Sequence, residues 1–219
     1  MQLSDYINHT IIDKGESIWI AQRSGRSKDG DDRTNPSLLK MFNLKGRSTE
    51  VLENIRSLEI CPVSISYEFN PCDALTIPEL LQKEKGERYE KQPMEDMIHM
   101  GTGIEGQKGK IAVSFGRPLN GILDSMDEIK NRNELLASLA GLIDQEIHRS
   151  YQLMPTNYIA YDLLHQSSDF SSNYAADEKQ AFINCMEEKI EEVEGEKDLV
   201  QRIFLKMYAN PVANQVGEE

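Results

Sequence analysis

Hydrophobic and polar positions along the chain follow two different periods. Leu3, Tyr6, Ile7, Thr10 and Ile11 recur at three and four residues, the spacing of one apolar helix face, with Ser4 as its N-cap and Lys14-Gly15 as its stop. Ser17 to Ala21 (SIWIA) is a short β-branched and aromatic run that predicts a buried strand. Two helices are predicted over Pro36–Phe42 and Thr49–Leu58, and the apolar run ICPVSISYEF predicts a second strand through Ser66 or Tyr67, with Pro62 at its entry.

Residues Ile77 to Met100 are charged and helical in part, and GKIAVSFGRPL predicts a third strand over Ile111–Phe115, ended by Gly116 and Pro118. From Asp127 to Arg149 the apolar positions mark a long amphipathic helix, and Tyr158 to Tyr208 reads as three more, broken at Ser167–Ser172 and at Gly195. The fold class expected is α/β: a partial mixed sheet flanked by helices, with a helical carboxyl-terminal tail. Residues 1–150 would form the α/β part and residues 151–219 the tail packed on it.

Composition narrows the function classes. With 219 residues, 39% of them hydrophobic and 28% charged, the chain suits one globular domain with an appended tail, and disorder throughout is excluded. A net charge of −13 argues against general nucleic-acid binding and against a polybasic grip on anionic lipid. The segment Asp177–Asp198 alone has nine acidic and three basic residues and reads as a solvated anionic helix surface. Cys61, Cys72 and Cys185 have no paired metal-ligand spacing, so unpaired thiols in a reducing compartment and no metal are expected.

No stretch approaches the roughly 20 apolar residues of a membrane-spanning helix. The opening MQLSDYINHTIIDKGES also lacks the cationic start and apolar run of a secretory leader. The expected location is the cytoplasm, with any membrane contact peripheral, at the cytoplasmic face of the inner membrane.

One loop breaks the acidic trend. From Gln22 to Thr34 it carries Arg23, Arg26, Lys28 and Arg33 against Asp29, Asp31 and Asp32. Its place matters more than its charge, because loops that follow strands of α/β sheets are where ligands usually bind. Arg26 between Gly25 and Ser27 can bring a guanidinium fork and backbone N–H groups to one oxyanion, the physical form of a phosphate site. The other reading is a surface loop whose Arg and Asp side chains pair with one another, each pair worth about 0–1 kcal/mol.

The succession SIWIAQRSGRSKDGDDRT, LLKMF, ICPVSISYEFNPCD and GKIAVSFGRPL resembles the later part of bacterial glycerolipid acyltransferases, the 1-acyl-glycerol-3-phosphate acyltransferase group. NYIAYDLL and KMYANPV are similar to the helical tail of that group. The resemblance implies fatty acyl transfer from acyl-CoA or acyl carrier protein, as donor substrate, to a glycerol-phosphate or lysophosphatidate acceptor in phospholipid biosynthesis, with no resident cofactor. It also implies that Ser24, Gly25, Arg26, Lys28 and Arg33 form the acceptor-phosphate side, and that Pro62 opens the strand beside the acceptor. The family's glutamate in that loop is Ser24 here, which removes a carboxylate that would orient the arginine.

In the family a His followed after four intervening residues by an Asp deprotonates the acceptor hydroxyl. No such pair is found in this chain. His9 and Asp13 have three residues between them and are expected to make a local helix-face contact. His99, His148 and His165 lack the partner at the family's spacing, and no Gly-x-Ser-x-Gly elbow occurs. The chain thus reads as an acceptor-binding part without the base and inactive alone, its alternative being a non-catalytic remnant that binds an anionic headgroup or a protein. Beginning where it does, it would also expose a sheet edge and apolar helix faces, and self-associate through them.

Overall fold

The computed structural model describes residues 2–25, 27–44 and 50–217. In chain order the elements are α1 (Gln2–Asn8), a π-helical turn (His9–Asp13), α2 (Pro36–Asn43), α3 (Val51–Ser57), β1 (Val63–Tyr67), α4 (Asp73–Glu84), α5 (Glu95–Glu105) and β2 (Ile111–Phe115). Short 3₁₀ turns at Leu119–Gly121 and Leu123–Met126 lead to α6 (Arg132–Ser150), α7 (Pro155–His165), α8 (Ala176–Ile190) and α9 (Lys197–Val216). About 59% of the chain is helical, with a small antiparallel sheet of β1 and β2 flanked by helices and a helical carboxyl-terminal region. This is the partial α/β fold the sequence predicts.

The chain divides into two compact units. One comprises Met1–Arg26, Asp32–Ser64 and Ser114–Ser150; the other comprises Ser27–Asp31, Ile65–Val113 and Tyr151–Glu219. The core of the first is aliphatic, built from Leu39 and Phe42 of α2, Ile55 of α3, and Leu135, Leu136, Leu139 and Ile143 along one face of α6. Asn35 caps α2 by accepting from the Ser37 N–H at 2.9 Å, and Pro36 follows at the first helical position, where its missing N–H costs nothing. α6 starts five residues later than Asp127, because Asn131 accepts from the N–H groups of Asn133 (2.9 Å) and Glu134 (3.2 Å) as its cap.

Two expectations fail in this unit. Residues Ser17–Ala21 form no strand: Ile18 and Ile20 lie against the aliphatic core while Trp19 is 65% exposed, so the alternation of a strand is present without a neighbouring strand to complete a ladder. The apolar face of α1 is likewise not its buried face. Leu3 and Tyr6 are exposed, whereas Ser4, Ile7, Asn8 and Thr10 are buried, and Ser4 sits inside the helix rather than capping it.

The core of the second unit is aromatic as well as aliphatic. Ile77, Leu80 and Leu81 of α4, Ile159 of α7, Phe182 and Met186 of α8, and Val200 to Val212 of α9 pack together. The rings of Phe182, Phe204 and Tyr208 stack or tilt at centroid separations of 5.2–6.1 Å. Near them Asp73 is buried, and its carboxylate accepts from the Tyr208 hydroxyl at 2.6 Å and from Lys189 Nζ at 2.7 Å. Three predicted tail helices appear as α7, α8 and α9, with the breaks where Ser167–Ser172 and Gly195 place them.

Candidate functional site

Glycine and hydrogen bonding shape the loop at Gln22–Thr34 from its ends inward. The Asn35 N–H donates to the Gln22 carbonyl at 2.9 Å and so closes the loop at its base. Thr34 is buried, and both its N–H (2.8 Å) and its hydroxyl (2.6 Å) donate to one oxygen of Asp144 on α6. That carboxylate is itself buried, so it fixes the descending limb of the loop on a rigid helix.

On the ascending limb Arg23 is half-buried. Its Nε donates to Asp32 at 2.5 Å and its Nη1 to the Ser24 carbonyl at 3.0 Å, which braces the two limbs across the loop. Ser24 and Gly25 are exposed beside it, and Gly25 takes φ +86°, the left-handed region that favours glycine. Arg33 is exposed on the descending limb. Arg26 lies outside the described residues. Within the first unit the structure thus brings Ser24 and Gly25 onto an open turn held by Arg23.

Lys28 belongs to the second unit and is committed there. Its ammonium pairs with Glu79 of α4, both side chains being about three-quarters buried. The carbonyl of Asp29 accepts from Asn210 Nδ2 of α9 at 2.6 Å, and Gly30, at φ +70°, is pressed against α9 so closely that a Cβ there would lie 2.3 Å from the Met207 carbonyl oxygen. Pro62 is buried at the entry to β1, and its carbonyl accepts from the Gly116 N–H at 2.8 Å just past β2.

The histidines take the positions of structural or surface groups. His9 and Asp13 meet at 2.9 Å as an i, i+4 pair, both well exposed, on the π-helical turn. His99 is buried on α5 and His165 stacks on Tyr161 at 4.3 Å. The three cysteines are free, and among the described residues no group of His, Cys, Asp or Glu could hold a metal ion. Likewise, among the described residues no helix is long and apolar enough to cross a membrane.

No family model, curated protein or solved structure matches this chain.

Of the two groups that hold the loop, Arg23 pairs with an aspartate of the same loop, as the surface-loop alternative has it, whereas sequence reasoning missed Asp144. A signal existed for the second: Asp144 follows Ile143 within the apolar face of α6, where an acidic residue is out of place unless something donates to it. A second buried acid on that helix, Glu146, holds two guanidiniums, Arg117 Nη2 at 2.6 Å and Arg149 Nη2 at 2.9 Å. Hydrogen bonding from the Arg117 side chain, opposed by burial and reinforced by Arg117 N–H and Arg149, holds its carboxyl down at about 2.

Proposed function

We propose that this chain is the acceptor-phosphate-binding part of a glycerolipid acyltransferase, with Ser24, Gly25, Arg26 and Arg33 receiving the phosphate of a glycerol-phosphate or lysophosphatidate acceptor. The observation that carries the reading is the order of four segments, SIWIAQRSGRSKDGDDRT, LLKMF, ICPVSISYEFNPCD and GKIAVSFGRPL, each like the corresponding segment of that group. The loop's build supports it. Arg23 braces the limbs, and the glycine turn at Ser24 and Gly25, next in sequence to Arg26, is exposed, so its backbone N–H groups are open to an oxyanion.

Acyl transfer needs a base to take the acceptor's proton, and His9 does not have the family's spacing to its aspartate. With acyl-CoA and lysophosphatidate the chain therefore gives no turnover above the uncatalysed rate. Ordinary turnover lost in His9→Ala would refute that part of the reading. Calorimetric titration with glycerol 3-phosphate tests the phosphate role: one charge-assisted contact removed by Arg26→Ala weakens binding about tenfold or more. Equal affinity of wild type and variant, or none for either, would overturn it.

A second reading is favoured by Ser24, which stands where the family has a carboxylate. In it the same turn binds an anionic headgroup and serves no reaction. Both readings predict the titration result. They part when a polypeptide carrying the family's His-Asp pair is supplied, since only the first then gives acyl transfer.

A further inference from the structure

The sheet of β1 and β2 is apolar on its open side. Ser64 and Ser66 are buried on its inward side, whereas Ile65, Tyr67, Ile111, Val113 and Phe115 face outward, Ile111 and Val113 54% exposed and Phe115 72%. Two ladder bonds fix the register: the Gly116 N–H donates to the Pro62 carbonyl at 2.8 Å, and the Glu68 N–H to the Lys110 carbonyl at 2.9 Å. In an antiparallel pair of that register Ile111, Val113 and Phe115 fall at the positions whose N–H and C=O groups turn away from the partner strand. Among the described residues nothing donates to or accepts from those groups. The outer edge of β1, by contrast, is covered where the Tyr151 hydroxyl bonds to the Tyr67 main chain. β2 is thus the open edge of the sheet.

An edge of this kind takes another extended segment, because a strand supplies donors and acceptors at alternate residues. The devices that usually block an edge are missing: Ile111–Phe115 contains no proline and no charge. A second copy of β2 is the segment that fits. Laid antiparallel about a two-fold axis at Val113, two copies pair Val113 with itself and Ile111 with Phe115, so the open N–H and C=O groups of each strand meet those of the other. The same register sets valine against valine and isoleucine against phenylalanine on the outward face, cross-strand pairs of the kind that stabilise sheets. Charge permits it. Lys110 and Arg117 each face a glycine of the second copy, Gly116 and Gly109, rather than a like charge, and Arg117 is already matched by Glu146 at 2.6 Å. Because β1 occupies the other side of β2 and Tyr151 covers β1, pairing closes at two chains.

We propose that β2 is the interface of a homodimer, two copies joining their sheets edge to edge through the main chain of Ile111, Val113 and Phe115. The proposal is independent of the acyltransferase reading. Sedimentation equilibrium of the full chain over the micromolar to submillimolar range tests it, with circular dichroism as the check on folding. Wild type is expected to dimerise. Val113→Lys and Val113→Glu, at an exposed position that meets its own copy on the axis, each raise the dissociation constant about tenfold or more without loss of helicity. An equimolar mixture of the two variants restores the dimer, since a lysine then faces a glutamate. Amide hydrogen exchange separates edge pairing from any other contact: the N–H groups of Ile111, Val113 and Phe115 become protected as concentration rises through the dissociation constant. A wild type monomeric throughout, a dimer indifferent to both variants, amides that stay fast in the dimer, or a monomer that instead binds zwitterionic vesicles through the same residues would overturn the proposal.

Discussion

At the scale of single residues, buried carboxylates organise both units. Glu146 is held at about 2, below the ordinary carboxyl value of 4.5, by donors from Arg117 and Arg149. A carboxyl whose value is lowered by folding stabilises the fold above its ordinary range and loses that contribution as pH falls toward the folded value. Glu146→Gln therefore costs on the order of 1–3 kcal/mol at neutral pH. The gap between wild type and variant in urea midpoint shrinks between pH 4.5 and 2; a gap independent of pH would contradict the assignment. Asp73 plays the matching part in the second unit. Burial first, and then the Asp73 charge, push the Tyr208 hydroxyl well above its ordinary value, so it stays a donor at any ordinary pH. Tyr208→Phe leaves the Asp73 carboxylate to Lys189 and the Ala74 N–H and strips the Asn70 N–H of its acceptor. The expected loss is about 1–3 kcal/mol by chemical denaturation, and an unchanged midpoint would count against the network.

At the scale of elements, periodicity located segments better than it located faces. β2 and the three tail helices stand where apolar spacing and turn residues put them, since helical and strand periods are local properties of the chain. Ser17–Ala21 was misread because its β-branched residues state a preference for extended backbone, and a strand also needs a neighbour that local sequence does not specify. α1 was misread for a related reason: which side of a helix is buried depends on what packs there, and in this helix Ser4 and Asn8 face inward with Ile7. The loop was legible in its charges, and Arg–Asp pairing within it was one of the two readings; the brace Asp144 was not legible, because pairing across 110 positions leaves no local spacing. Gly30 gives a direct check on the described loop. Alanine there meets the Met207 carbonyl and a left-handed backbone together, so Gly30→Ala should cost roughly 2 kcal/mol or more, whereas Gly86→Ala, with open space around it, should cost only the backbone strain of about 1–2 kcal/mol.

At the scale of the whole molecule, two cores of different character stabilise one chain that is acidic nearly throughout, and the cationic loop is the exception on which the functional reading turns. Within it Arg23 pairs with Asp32 and Lys28 with Glu79. The proposed contacts are the glycine turn, Arg26 and Arg33, so binding should be modest and should fall with added salt, as exposed charge contacts do. Amide-resolved NMR during titration with glycerol 3-phosphate addresses this most directly. The account predicts saturable shifts concentrated at Ser24, Gly25, Arg26 and Arg33 and abolished by Arg26→Ala; shifts scattered over other surface cations, or none at that turn, would contradict it.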